Sequence, residues 1–87
     1  MKNRDTTVIL WVLLRALASG PQIPSKLARV ANVPFGRLEE YVGTLAARGL
    51  VRVEPTDGHE MYSITPGGMD ALNHLDSGLR MLFPALE

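Results

Sequence analysis

Apolar residues crowd the beginning of the chain and predict its first helix. Positions 8–14 are all apolar, and Gly20 followed by Pro21 is a stop signal, so the pattern predicts a helix over residues 6–19. Such a helix has almost no polar face, and helices of this kind are covered on every side in folded proteins. A small domain cannot supply all of that cover by itself. We therefore expect a second subunit to pack against this helix.

Two amphipathic helices are predicted next. Residues 24–31 form a short helix whose apolar members are expected to face inward, namely Leu27, Val30 and Ala31. A longer helix follows up to Arg48, with apolar positions at i, i+4 and i+7, namely Leu38, Val42 and Leu45. The three residues between the two helices are Asn32, Val33 and Pro34, and such a tight break is typical of a helix-turn-helix motif.

A hairpin and a last helix are predicted in the remainder of the chain. Alternating apolar residues predict strands over 50–54 and 60–64, and Asp57-Gly58 between them is a hairpin turn signal. Thr65 can cap, and Pro66 can open, a helix that reaches residue 82 or 83. Leucines recur at a three-four spacing, which is a heptad seam, at Leu72, Leu75, Leu79, Leu82 and Leu86, the last of them past the expected end of the helix. The expected fold class is α+β and mostly helical.

Length and composition limit the chemistry that the chain can perform. Its 87 residues allow one domain with one modest core, and the absence of cysteine excludes disulfides and a thiol nucleophile. His59 and His74 have no ligand partner at i+3 or i+4 further along the chain, so no metal site is expected. His74, Asp76 and Ser77 share one predicted helix, where they cannot converge as a catalytic triad. We therefore expect a protein that is not an enzyme and needs no cofactor.

The formal net charge of zero hides an asymmetry between the two parts of the chain. Residues 1–53 carry eight basic and three acidic side chains, a net charge of +5, whereas residues 54–87 carry one basic and six acidic side chains, a net charge of −5. A bipolar domain of this kind can place one face on phosphate and keep the other away from it. The apolar run near the start is far shorter than the ~20 residues of a membrane span, and Asp5 and Arg15 interrupt its likeness to a signal peptide. A cytoplasmic protein with no membrane contact is expected.

Three separated segments resemble those of winged helix-turn-helix regulators. Residues 25–33, SKLARVANV, resemble the second helix and turn, and residues 38–51, LEEYVGTLAARGLV, resemble the recognition helix and its exit into the first wing strand. Residues 62–68, YSITPGG, followed by Leu72, are similar to the pattern that opens their last helix. Over about residues 6–83 the chain looks like the small archaeal winged-helix proteins that dimerise through a C-terminal helix, and more distantly like MarR-like and PadR-like regulators.

This resemblance implies a single domain over residues 1–87, with a winged helix-turn-helix core at 6–64 and a C-terminal dimerisation helix at 65–83. It also implies a homodimer that binds double-stranded DNA as a transcriptional regulator or chromatin-associated protein at the nucleoid. In this family the third helix enters the major groove and the wing touches the backbone.

Mapped onto the sequence, the resemblance gives two sets of candidate residues. The candidate DNA-binding residues are Lys26, Arg29, Phe35, Gly36, Arg37, Glu40, Tyr41, Thr44, Arg52 and His59. The candidate dimer-interface residues are Val8, Trp11, Val12, Leu72, Leu75, Leu79, Leu82 and Phe83. Near the start of the chain, Lys2 and Arg4 can form an arm that reaches a groove.

Several alternatives stay open at this point. The recognition helix carries Glu39 and Glu40, and the predicted wing tip is acidic, so the chain is alternatively a winged-helix module that binds another protein. Arg37 is alternatively a solvated arginine paired with Glu40 or Tyr41, and Phe35 alternatively covers the edge of the core. A third interpretation is a sensor that binds a small apolar ligand near Trp11, although a core position for Trp11 is favoured.

Overall fold

Four helices and a two-stranded antiparallel sheet follow one another in the predicted order. The structure is a computed structural model that describes residues 6–82. Its elements are α1 (Thr6–Ala18), α2 (Pro24–Ala31), α3 (Phe35–Ala47), β1 (Val51–Thr56), β2 (His59–Ile64) and α4 (Pro66–Leu82). The α+β, mostly helical class is confirmed. The helix bounds differ from the predicted ones by at most one residue, and the hairpin ladder is longer because it continues to the turn itself.

The turn between α2 and α3 depends on one left-handed residue. Asn32 has φ 57° and ψ 48°, a conformation that asparagine tolerates better than most residues. The next amide, that of Val33, donates to the carbonyl of Ala28 at 2.9 Å, so this carbonyl in the last turn of α2 has a hydrogen-bond partner. Pro34, which has φ −55°, lies immediately before the first residue of α3. The predicted three-residue break is confirmed.

One hydrophobic core lies between the three N-terminal helices, the hairpin and α4. Its fully buried side chains are Leu13, Leu14, Leu17, Leu27, Leu38 and Leu45. The inward position predicted for Val30 is wrong, because its side chain is 54% exposed. At 100° per residue Leu27, Ala28 and Ala31 share one stripe of α2, and Val30 points about 110° away from it.

The hairpin is closed by the predicted Asp-Gly turn and anchored by a contact that the pattern did not predict. Asp57 and Gly58 both have positive φ, 41° and 79°, as a two-residue type I′ turn requires. Gln22, in the loop between α1 and α2, exchanges two backbone hydrogen bonds with Tyr62 at 2.9 and 3.0 Å. This bridge adds a third short segment beside β2 and fixes the hairpin to the helical core.

Thr65 lies between the hairpin and α4, and its side chain forms two hydrogen bonds. Its Oγ1 accepts from the amide of Gly68 at 3.0 Å and donates to the carbonyl of Gly49 at 2.7 Å. The first bond is the predicted cap at the start of α4, and the second ties that cap to the end of α3. The hydroxyl group of Thr65 therefore links the start of α4 to the end of α3.

Replacing Thr65 with alanine is expected to lower the free energy of unfolding by about 1–2 kcal/mol, because one helix cap and one further hydrogen bond are lost. Thr65→Ser keeps the hydroxyl group and serves as the matched control, with an expected loss below about 0.5 kcal/mol. Urea denaturation at one protein concentration measures both variants. Equal losses in the two variants would show that the methyl group of Thr65, and not its hydroxyl group, stabilises this joint.

The helices α1 and α4 pack against each other and leave an apolar surface on α1. The indole Nε1 of Trp11 donates to Oδ1 of Asp76 on α4 at 2.7 Å, and the guanidinium of Arg15 lies 5.2 Å from the ring centroid of Trp11. Trp11 and Val12 are half-buried at the edge of the core, and Val8 is 37% exposed. Among the described residues, α1 is therefore less completely covered on the side of Val8, Trp11 and Val12 than on the side of its buried leucines. Among the described residues no helix is both long and apolar enough to cross a membrane.

Candidate nucleic-acid interface

One face of α3 points away from the core, and the candidate residues of this helix lie on it. Leu38, Val42 and Leu45 occupy the buried stripe. The opposite arc carries exposed residues and one half-buried ring, at Gly36, Arg37, Glu40, Tyr41 and Thr44. Phe35, at the first position of the helix, is 64% exposed, so it does not cover the edge of the core.

Arg37 is held in place by a neighbouring aromatic ring. Its guanidinium lies 5.5 Å from the ring centroid of Tyr41, one turn further along α3. This is one of the two pairings that the sequence left open. A cation–π contact uses the charge of the guanidinium and not its N–H groups, so the contact with Tyr41 positions Arg37 and leaves those groups able to donate hydrogen bonds.

Two neighbours of Arg37 differ in what they can offer to a ligand. The hydroxyl group of Thr44 donates to the backbone carbonyl of Glu40 at 3.2 Å, so its proton is used within the helix. Gly36 carries no side chain, and nothing lies within 4 Å of the position that a Cβ would take. The backbone at the start of α3 is therefore open to close approach.

The cations of α2 lie next to this surface. Lys26 and Arg29 are exposed, and Arg29 lines a shallow groove of about 630 Å³ that runs along the turn to Pro34 and Phe35. Neither Lys26, Arg29 nor Arg37 forms an ion pair with another residue in the range 6–82. Three uncompensated cations thus surround the turn between α2 and α3.

The hairpin contributes less positive charge than this surface. The only candidate cation on its strands is Arg52, and its Nη1 lies 3.8 Å from Oε2 of Glu54, with both side chains largely exposed. His59 begins β2 beside the turn, whereas Arg52 pairs with Ser63 near the other end of the ladder. The two hairpin candidates are therefore not brought together.

A sequence profile described as winged helix-turn-helix matches residues 3–82. The chain belongs to the winged helix-turn-helix family. In the terms of this family α3 is the recognition helix and the hairpin β1–β2 is the wing. No curated protein sequence matches the chain significantly.

Solved structures of several winged-helix proteins are similar to this chain. Sso10a-2, a DNA-binding protein from Sulfolobus solfataricus, has a TM-score of 0.83 at 17% identity, over 95% of this chain and 86% of that one. The transcriptional regulator BldR from the same organism has a TM-score of 0.82 at 26% identity, over 91% and 59%. A probable transcriptional regulator from Pseudomonas aeruginosa has a TM-score of 0.76 at 26% identity, over 84% and 58%. The chain thus spans about six-tenths of the two regulators. The resemblance to archaeal winged-helix proteins is confirmed.

The candidate dimer residues fall into two groups in this winged helix. Val8, Trp11 and Val12 follow α1 on its incompletely covered side, and Leu75 is half-buried at the edge of the core. Leu72 is buried within its own protomer, so it stabilises the fold and has no surface left for a partner. The backbone of α4 includes Leu79 and Leu82. Phe83 and Leu86 lie outside the described residues, as do Lys2, Arg4 and Asp5.

Tyr62 is a feature of the wing that sequence analysis did not connect with function. Its side chain is buried, and its hydroxyl group donates a hydrogen bond to Glu60. Burial, together with the charges of Glu60 and Glu39, raises the pKa of Tyr62 above its usual range. Strand alternation places Tyr62 on the same face as Ile64, but only the fold brings Glu39 of the recognition helix near it.

Proposed function

We propose that this protein binds double-stranded DNA as a homodimer and acts in transcription regulation or chromatin organisation. The observation that carries the proposal is the group of three exposed cations around the helix-turn-helix turn, Lys26, Arg29 and Arg37, which have no ion-pair partner within residues 6–82. Phosphate contacts position a protein on DNA, and side chains of the recognition helix then reach base edges. The similarity to Sso10a-2, a DNA-binding protein, and to BldR, a transcriptional regulator, supports this function.

The roles that we assign follow from the position of each side chain. Lys26 and Arg29 bind phosphates from α2, and Arg37 reads a guanine from the recognition helix, since an arginine can donate two hydrogen bonds to its major-groove edge. Phe35 supplies an apolar contact for a thymine methyl group. Gly36 allows the backbone to approach the DNA. The same face of α3 also includes Glu40, Tyr41 and Thr44. The wing adds weaker contacts to the DNA backbone through Arg52 and His59.

Homodimerisation adds a second DNA-binding surface to that of a single protomer. We assign the interface to the incompletely covered side of α1, with Val8, Trp11 and Val12, and to the leucine seam of α4 beyond Leu75. Two-fold symmetry then places two recognition helices about one helical turn of DNA apart, about 34 Å. Doubling the phosphate contacts also compensates for a wing whose one candidate arginine is paired with Glu54.

A non-catalytic role is part of the proposal. Nδ1 of His74 donates to the carbonyl of Asp70 at 2.8 Å within α4, and this hydrogen bond is local to the helix. Within the described part of the chain, no group of three or more metal-binding side chains is found.

The paired Arg52 of the wing also favours a second candidate function, a module that binds another protein. The wing tip then presents Asp57 and Glu60 to a basic partner. This alternative predicts that duplex DNA does not bind at low salt and that the cations of α2 can be replaced without effect.

Affinity for labelled random-sequence duplex DNA is expected to fall steeply between about 50 and 200 mM salt. Lys26→Ala removes one phosphate contact in each protomer, so it should weaken binding to all sequences and reduce the salt slope by about one per protomer. Arg37→Ala should weaken binding to a selected operator by about 1–3 kcal/mol and relax its specificity at one position. Fluorescence anisotropy measures the affinity, its salt slope and the specificity for the operator.

Arg48→Ala is the matched control, because Arg48 is exposed at the opposite end of α3 and is not assigned to the interface. Its affinity and salt slope should stay close to those of the original protein. Duplex binding that is absent even at 50 mM salt would contradict the DNA-binding function and favour the protein-binding module. Equal losses in Lys26→Ala and Arg48→Ala would refute the assigned surface.

A further inference from the structure

A half-enclosed cavity lies between the start of the recognition helix, the start of α2 and the second strand of the wing. Its volume is about 210 Å³. Leu38 and Tyr62 line it and are buried, so they form an apolar floor. Phe35, Glu39 and Glu60 also line it and are exposed. The mouth of the cavity therefore carries one aromatic ring and two carboxylates.

The negative charge of this cavity is not compensated by any side chain that the structure describes. Its lining includes two acidic side chains and no basic one. Neither Glu39 nor Glu60 forms an ion pair with a described side chain. The hydroxyl group of Tyr62 donates to Glu60, and burial beside these carboxylates raises the pKa of Tyr62 further above neutrality. The cavity thus presents acceptors and one ring face to whatever enters it.

These groups match a small organic cation better than other ligands. Carboxylates form strong charge-assisted hydrogen bonds with an ammonium group, and a ring face such as that of Phe35 attracts a cation. The apolar floor suits a short alkyl chain. An anion would be repelled, and a neutral apolar ligand would remove water from two carboxylates without replacing it. Calcium and magnesium require at least six ligands, and no cluster of three metal-binding side chains occurs in residues 6–82.

We propose that the cavity between α3 and β2 binds a small alkylammonium ion, with Glu39 and Glu60 holding the ammonium group beside Phe35. The cavity borders the assigned DNA-binding surface, because Phe35 and Gly36 belong to both. A bound cation offsets negative charge that would otherwise repel phosphate, and so increases affinity for duplex DNA. This increase rests on the proposed DNA-binding function, whereas binding of the amine does not.

The test is a titration of n-butylammonium chloride into the full chain without DNA, followed by two-dimensional ¹H–¹⁵N NMR at constant ionic strength. Saturable shifts are expected at residues 35–39 and 60–62. The double variant Glu39→Gln/Glu60→Gln should weaken binding by about tenfold or more, since both charged acceptors are lost. Glu54→Gln changes a wing carboxylate that does not line the cavity, and it should bind the amine as the original protein does. The uncharged analogue n-butanol should cause no saturable shift.

Two results would overturn the proposal. One is a lack of saturable shifts with n-butylammonium, and the other is an equal loss of binding in Glu54→Gln and in the double variant. Duplex affinity measured with and without the amine separates this proposal from the DNA-binding function. Amine binding without duplex binding would support the cavity site and refute DNA binding. Duplex binding without amine binding would support DNA binding and refute the cavity site.

Discussion

The variant Gly68→Ala is expected to lose about 3 kcal/mol of unfolding free energy and to lower Tm by at least about 10 °C. Gly68 is buried in the first turn of α4, directly against the start of β1. A Cβ at this position would overlap the carbonyl oxygen of Leu50 and lie 2.6 Å from Cγ1 of Ile64. The overlap with Leu50 involves backbone, which cannot rotate away as a side chain can. Relief of the clash therefore requires α4 to move off the wing, which also strains the Thr65 cap.

Gly78→Ala provides the control on the same helix. Nothing lies within 4 Å of the Cβ that alanine would add at Gly78. Because alanine is a better helix former than glycine, this variant should gain up to about 1 kcal/mol. Thermal unfolding followed by circular dichroism compares both variants at one protein concentration, since the stability of a dimer depends on concentration. Similar Tm values for Gly68→Ala and the original protein would contradict the close approach of α4 to β1.

Local rules predicted the elements of this fold because each signal acts within a few residues. Asn32 ends α2, Asp57-Gly58 closes the hairpin and Thr65 caps α4, all as their residue types require. The error at Val30 arose because α2 has only eight residues, too few for periodicity to choose between two neighbouring stripes.

Contacts between distant segments could not be predicted in the same way. The bridge from Gln22 to Tyr62 and the hydrogen bond from Trp11 to Asp76 join positions 40 and 65 residues apart. The same holds for the candidate site. The family pattern named Arg37, but only the fold brings Glu39 and Glu60 to one cavity, because one lies on a helix and the other on a strand.

The variant Val8→Asp is expected to convert the proposed dimer into a folded monomer. Val8 is partly exposed in the first turn of α1, so an aspartate there disturbs the protomer core little. Its negative charge is also attracted by the positive N-terminal end of the helix dipole. In the dimer the same carboxylate would be buried without a partner, at a cost of about 3–5 kcal/mol. The dissociation constant should therefore rise by at least about 100-fold. Leu75 would be a poorer choice because it also packs on its own core.

Val30→Asp is the matched control, since Val30 is an exposed β-branched residue of α2 that we do not assign to the interface. Sedimentation equilibrium should find Val30→Asp dimeric and Val8→Asp monomeric, with similar circular dichroism spectra. Dimerisation of Val8→Asp with the affinity of the original protein would exclude this side of α1 from the interface. A monomer binds half as many phosphates as a dimer, so Val8→Asp should also halve the salt slope of DNA binding. The DNA-binding face carries no substitution in this variant. A lower salt slope would therefore come from the loss of the second protomer alone.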